Sequence, residues 1–205
     1  MPEIPPFVAS RPPWRGLLLL ALAWVGATVW LTWLDRPLVT DVSPWGILSL
    51  ELVFDASDAQ RILNYWKPHP LFPDRLQIAR VGLIWDTVLY IPLYTLFLML
   101  LARTIGDWVR SRGGCERWSR IGRALSQGCL IAGLLDWVEN ACLFVLLRQA
   151  SENEGLLSGS WVEVGSTCAA LKFLLIGATT VFVLAGICSA LVAGKAQPLV
   201  PVPPG

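Results

Sequence analysis

Long apolar runs separated by short polar stretches dominate this chain, without the regular mixing of polar and apolar faces that marks a soluble helix bundle. Residues 16–34 carry no charge. Residues 81–102 are interrupted only by Asp86, residues 124–147 carry Asp136 and Glu139, and residues 166–193 carry Lys172. Each run reaches or approaches the ~20 residues a helix needs to cross the hydrocarbon core. The pattern predicts an all-α integral membrane protein, a four-helix bundle forming one membrane domain over residues 1–205. The first run has two features of a secretory signal, Arg11 and Arg15 ahead of it and Val25-x-Ala27 as a cleavage site. Its apolar stretch continues through Trp30 and Trp33, longer than a signal core, so an uncleaved helix is expected.

Between the first two runs, residues 35–80 form the one sizeable stretch outside lipid, expected to be an extracytoplasmic cap. Ser57-x-x-Gln60 has the form of a capping box. It would start a short helix through Ile62, Leu63, Tyr65 and Trp66, ended by Pro68. The apolar segment 45–54, broken by Glu51, fits either a strand or an interfacial helix. Trp45, Tyr65 and Trp66 suit the membrane interface, where amphipathic rings sit. The segment is either a plain surface loop or a lid over the outer mouth of the bundle that lowers Glu51 toward it. The proline-rich ends, 1–13 and 198–205, are expected to be disordered.

Composition narrows the class. Apolar residues make up 55% of the chain and charged ones 15%, with eleven Trp and a net charge of +1. Basic character is local: Arg103, Arg110, Arg112, Arg117, Arg120 and Arg123 surround the second link, whereas the third holds Arg148 beside Glu152, Glu154 and Glu163. By the positive-inside rule, both termini and the arginine-rich link are expected to be cytoplasmic. Those arginines suit anionic headgroups better than nucleic acid. Four of the five cysteines, Cys129, Cys142, Cys168 and Cys188, fall in apolar runs, where a thiol acts as a small apolar group. No metal-type spacing or cofactor motif is present, and His69 stands alone in a proline-rich turn.

The informative residues are the charges inside apolar runs, because a lipid-embedded charge costs several kcal/mol and marks a functional site by default. Asp86, Tyr90 and Tyr94 recur every four residues on one stripe, with Pro92 expected to kink the helix between the tyrosines. Asp136, Glu139 and Asn140 share a face, and Gly133 one turn earlier allows close approach of a helix or a ligand. At 1.5 Å per residue, Asp86 lies roughly 8 Å, Lys172 roughly 9 Å, Glu139 roughly 12 Å and Asp136 roughly 17 Å below the outer surface. That clustering predicts a shared pocket opening outward, with Glu51 available from the cap. Three carboxylates beside one ammonium cannot all ionise cheaply, so Lys172 is expected to pair with one of them, Glu139 being favoured, and Asp136 or Glu139 to hold its proton more tightly than usual. A salt bridge that merely ties helices together is the competing explanation, but apolar packing would serve that purpose as well or better.

The tyrosine-bearing second helix, followed by Leu135-Asp136-Trp137-Val138-Glu139-Asn140 in the third, resembles a family of small four-helix bacterial inner-membrane proteins of unknown function. The likeness includes Leu50-Glu51, Trp66 and Lys172, and it implies no activity. In architecture alone, the chain is similar to the sterol-isomerase and sigma-2-receptor superfamily, whose bundles hold acidic residues in a lipid-accessible pocket. Four functions remain open. A binding protein for a lipid-like or amphipathic molecule would wall its pocket with Tyr90, Tyr94, Trp85 and Trp137. Proton- or cation-coupled transport would need a homo-oligomer, since no repeated halves are visible. An intramembrane enzyme would use the carboxylates as acid and base. A structural subunit of a membrane complex is the fourth.

Overall fold

The computed structural model describes residues 14–68, 74–152 and 157–195. The expectations for the two tails, for His69 and for Glu154 concern residues outside this set. Among the described residues there is no strand, only an isolated bridge between Thr40 and Ser43. The elements are α1 (Trp14–Asp35) with a 3-10 turn (Arg36–Leu38), α2 (Ile47–Glu51), α3 (Ala56–Trp66), α4 (Arg75–Trp85), a π turn (Asp86–Tyr90), α5 (Ile91–Ser111), α6 (Arg117–Ser151) and α7 (Gly159–Lys195). Four spans, Trp14–Leu38, Arg75–Ser111, Arg117–Ser151 and Gly159–Val192, are long and apolar enough to cross a membrane. The fold is an all-α four-helix bundle of the membrane type. Its lipid-facing character shows in side chains such as Leu19, Leu174 and Val192, which are 68%, 68% and 71% exposed.

The helices outrun the apolar stretches that reveal them. α5 continues to Ser111 and α6 starts at Arg117, with polar side chains bonded across the tight link, within α6 and to α7. Ser119 Oγ donates to Asp107 at 2.7 Å, Arg123 donates to Ser119 Oγ at 3.1 Å, and Arg112 reaches the Ala190 carbonyl at 3.1 Å. Farther along, α5 and α6 meet backbone to backbone. A Cβ added at Gly122 would stand 2.6 Å from the Ala102 carbonyl oxygen. Small residues at such crossings let helices in lipid gain dispersion contact. α7 packs along α6 and α5, whereas α1 leans on α4 and α5 and buries only Leu17 and Ala27.

α2 and α3 form a folded cap over one end of the bundle. Ala59, Ile62, Leu63 and Trp66 of α3 join Leu143, Leu146 and Leu147 of α6, with Leu157 and Val162, in one apolar core. Trp66 is fully buried and donates its indole N–H to Ser43 Oγ at 3.2 Å, so it anchors the cap and does not sit at the membrane interface. Trp45 and Tyr65 are exposed. The residue capping α3 is also not Ser57 but Asp55, whose carboxylate accepts the Ser57 backbone N–H at 2.6 Å. A carboxylate is the stronger acceptor, and with both Ser57 donors on it the Asp55 carboxyl is held below its ordinary range. Gln60 instead accepts the Leu157 N–H at 3.1 Å, tying the cap to the link before α7. The segment open to strand or helix becomes α2. It begins at Gly46, whose φ of +59° is easy only without a side chain, and where a Cβ would strike the Asp35 carboxylate. That carboxylate accepts the Ile47 N–H at 3.1 Å and starts the helix.

Candidate functional site

Lys172, 5% exposed on α7, is the hub of a buried polar cluster. Its Nζ lies 2.6 Å from Asp136 Oδ1, 2.8 Å from Glu139 Oε2 and 3.4 Å from Glu51 Oε2. The expected pairing with one carboxylate is therefore a contact with three, from α2 and α6. Asp136 also accepts the Tyr94 hydroxyl at 2.8 Å. Glu139 is fully buried, and its Oε1 has no hydrogen-bond partner among the described residues. Asp86 is not joined to the lysine by an ion pair. It accepts Asn140 Nδ2 at 2.6 Å, and the same amide group reaches Thr87 Oγ1 at 2.9 Å.

The local helix geometry explains how Asp86 comes to this place. Pro92 has no N–H, so the ladder ahead of it is already incomplete. The backbone answers with a π turn in which the Ile91 N–H bonds to the Asp86 carbonyl. The irregularity covers Asp86–Tyr90, about one turn earlier than the kink expected between the tyrosines. It frees the Thr87 carbonyl, which an α-helix would have bonded to Ile91. Trp137 Nε1 takes that acceptor at 3.2 Å. Single π turns of this kind are frequent at functional sites. The Asp136-to-Asn140 stretch thus uses four side chains: two acids on Lys172, an indole on the broken helix, and an amide on Asp86.

Beside the cluster lies a cavity of about 360 Å³, apolar over most of its wall. Glu51, Asp86, Tyr90, Tyr94, Asp136 and Lys172 line its polar end, whereas Glu139 and Asn140 stand behind them and do not. Trp85 and Trp137 are not in the wall; they are 44% and 47% exposed on the outside of the bundle. Trp24, Thr28 and Thr32 of α1, with Asp35 at its end and Phe173 of α7, take their place. The indole N–H of Trp24 is buried without an acceptor among the described residues. Gly133 faces Thr95 of α5, so its missing side chain serves helix approach and not the cavity. Leu38, Ile47 and Leu48 also line the space, so the cap roofs its end of it. Among the described residues, no group of three or more His, Cys, Asp or Glu side chains is arranged to hold a metal ion. The chain matches no protein-family model, no curated protein and no solved structure.

Such an arrangement can bind before it can react. The wall takes an aliphatic or ring-bearing body, and the polar end offers carboxylates to a donor group. Three acids and one ammonium line that end, leaving acceptor capacity beyond what Lys172 satisfies.

Proposed function

We propose that the protein is a multi-pass component of the bacterial inner membrane that binds a lipid-like or amphipathic small molecule in the cavity beside Lys172. One observation carries this: a mostly apolar cavity that ends on a convergent set of buried charged groups. That is the usual form of a small-molecule site. Asp86 is the foremost ligand contact, since it lines the cavity, has no cationic partner among the described residues, and is held in place by Asn140. The head it suits is an amine or hydroxyl. Both termini are cytoplasmic in this proposal, which puts the cap outside.

Purification in mild detergent followed by native mass spectrometry tests the proposal. The wild-type protein should retain an amphiphile that Asp86→Asn and Tyr94→Phe release in part without loss of thermal stability. Equal retention in both variants, or none in the wild type, would count against binding at this site.

The buried Glu139, with an oxygen that has no hydrogen-bond donor among the described residues, favours a second function, proton- or cation-coupled transport by a homo-oligomer. A pH-dependent flux in liposomes that disappears in Asp136→Asn would select it over binding alone.

A further inference from the structure

We infer that the ligand reaches the cavity sideways from the bilayer, through a portal between α1 and α7, and not from water at the cap end. This rests on the cavity being a binding site, and it names the ligand class more closely: a molecule that partitions into the membrane before it binds.

The walls of the cavity differ in how they are closed. Over the cap end, Leu38, Ile47 and Leu48 form a roof. That roof is pinned from three sides, by Glu51 on Lys172, by the Ile47 N–H on Asp35, and by Ser166 Oγ donating to the Val53 carbonyl. At the opposite end, Trp24 stacks on Phe97 with ring centroids 5.2 Å apart, and Leu98 completes a floor. The back is sealed by α4, the π turn and α5, which pack on α6. The remaining side is different. α1 and α7 both line the cavity, yet α1 rests on α4, the π turn and α5, α7 rests on α5, α6 and the cap, and the two hardly touch each other.

The residues at this seam bear the mark of an opening. Thr32 and Phe173 line the cavity and are nevertheless exposed, Phe173 at 40%. α1 is also the least embedded of the spanning helices, with 11% of its apolar window buried against 28% to 50% for the others. A helix so lightly held can move aside without disturbing the α5–α6–α7 core. The seam lies within two membrane-spanning segments, so its outer side is hydrocarbon. A charged, water-borne molecule finds no path there, whereas an amphiphile can slide its tail through and leave its head for Asp86 and Asp136.

A thiol placed in the wall reads the route directly. Among the described residues, a Cβ at Gly82, which lines the cavity, meets only Leu34 Cδ2 at 3.9 Å, so Gly82→Cys fits without displacing a neighbour. The variant would be made with the native cysteines replaced and reconstituted in vesicles. Two reagents are compared: a long-chain N-alkyl maleimide dissolved in the bilayer, and a membrane-impermeant sulfonated maleimide added on both sides. The alkyl reagent should label the introduced thiol while the sulfonated one leaves it free, and a bulky rim residue, Thr32→Trp, should slow the alkyl reagent severalfold. Labelling by the sulfonated reagent, no labelling by either, or indifference to Thr32→Trp would overturn the portal. Native mass spectrometry of the same vesicles separates the two ideas. Retained amphiphile with a failed portal leaves binding intact. Alkyl labelling with no retained amphiphile gives a route without cargo and removes the binding site.

Discussion

At Lys172 one ammonium faces Asp136, Glu139 and Glu51 within 3.4 Å. Removing it would leave carboxylates facing one another in an apolar interior, and breaking such buried pairs costs about 3–5 kcal/mol. Lys172→Met should therefore unfold at a much lower temperature in detergent. Adding Asp136→Asn should recover more of that loss than adding Asp86→Asn, because Asp86 has no direct contact with the lysine. A harmless Lys172→Met would show that the side chain leaves the cluster and snorkels. Asp55 offers a smaller, pH-linked test. Its folded carboxyl is held below the ordinary range by the Ser57 donors, so the stabilisation is fully present above that range and is lost as pH falls from there through the lowered folded value. Asp55→Ala should melt below the wild type at neutral pH, and the two melting curves should converge in acid. The gathering of Asp86, Tyr90, Tyr94, Asp136, Glu139, Asn140, Lys172 and Glu51 into one region could be anticipated because charge in lipid is costly enough to need company. Asp35 was missed because an acid at the end of an apolar run reads as a boundary.

Among the elements, α6 is read most easily and α1 least. α6 carries its polar groups on one face, so spacing alone aims them inward. α1 is almost wholly apolar, and the one cue to its cavity face, the Thr28 and Thr32 hydroxyls four residues apart in line with Trp24, is faint against the rest of the run. The π turn was likewise hidden, since the sequence announces a disturbance at Pro92 but not how the backbone absorbs it. Two substitutions test these local arguments. Trp137→Phe keeps an aromatic side chain but leaves the Thr87 carbonyl without its donor, and should cost about 0.5–1.5 kcal/mol in thermal or denaturant unfolding. Gly122→Val would push a side chain into the Ala102 carbonyl and part α5 from α6. Overpacking of this sort typically costs about 1–3 kcal/mol, and more where backbone has to move. An unchanged melting temperature in Gly122→Val would mean that the two helices are not in close contact.

For the whole molecule, four spanning helices follow from four apolar runs, and that inference needs only length and hydropathy. The cap was harder. Its apolar residues fit a strand, a loop or an interfacial helix until the core shared by α3 and α6 chooses among them. Orientation rests on the arginines around the α5–α6 link. Cys115, native and exposed in that link, should react with an impermeant thiol reagent only after the membrane is opened. An introduced Ser160→Cys, at the exposed start of α7, should react in intact cells. The opposite pattern would invert the molecule and place the cap in the cytoplasm.

The ion pair between Glu51 and Lys172 joins residues 121 positions apart, and the Ser166 bond to Val53 spans 113. During synthesis the cap therefore emerges long before the helix that secures it. Until α7 inserts, Glu51, Asp136 and Glu139 have no ammonium to face, and the cap, though α3 can already pack on α6, lacks the Lys172 and Ser166 links that pin its roof. Completion of the last helix is thus the event that latches the first loop, so a chain stopped after α6 should keep a cap that proteases cut readily.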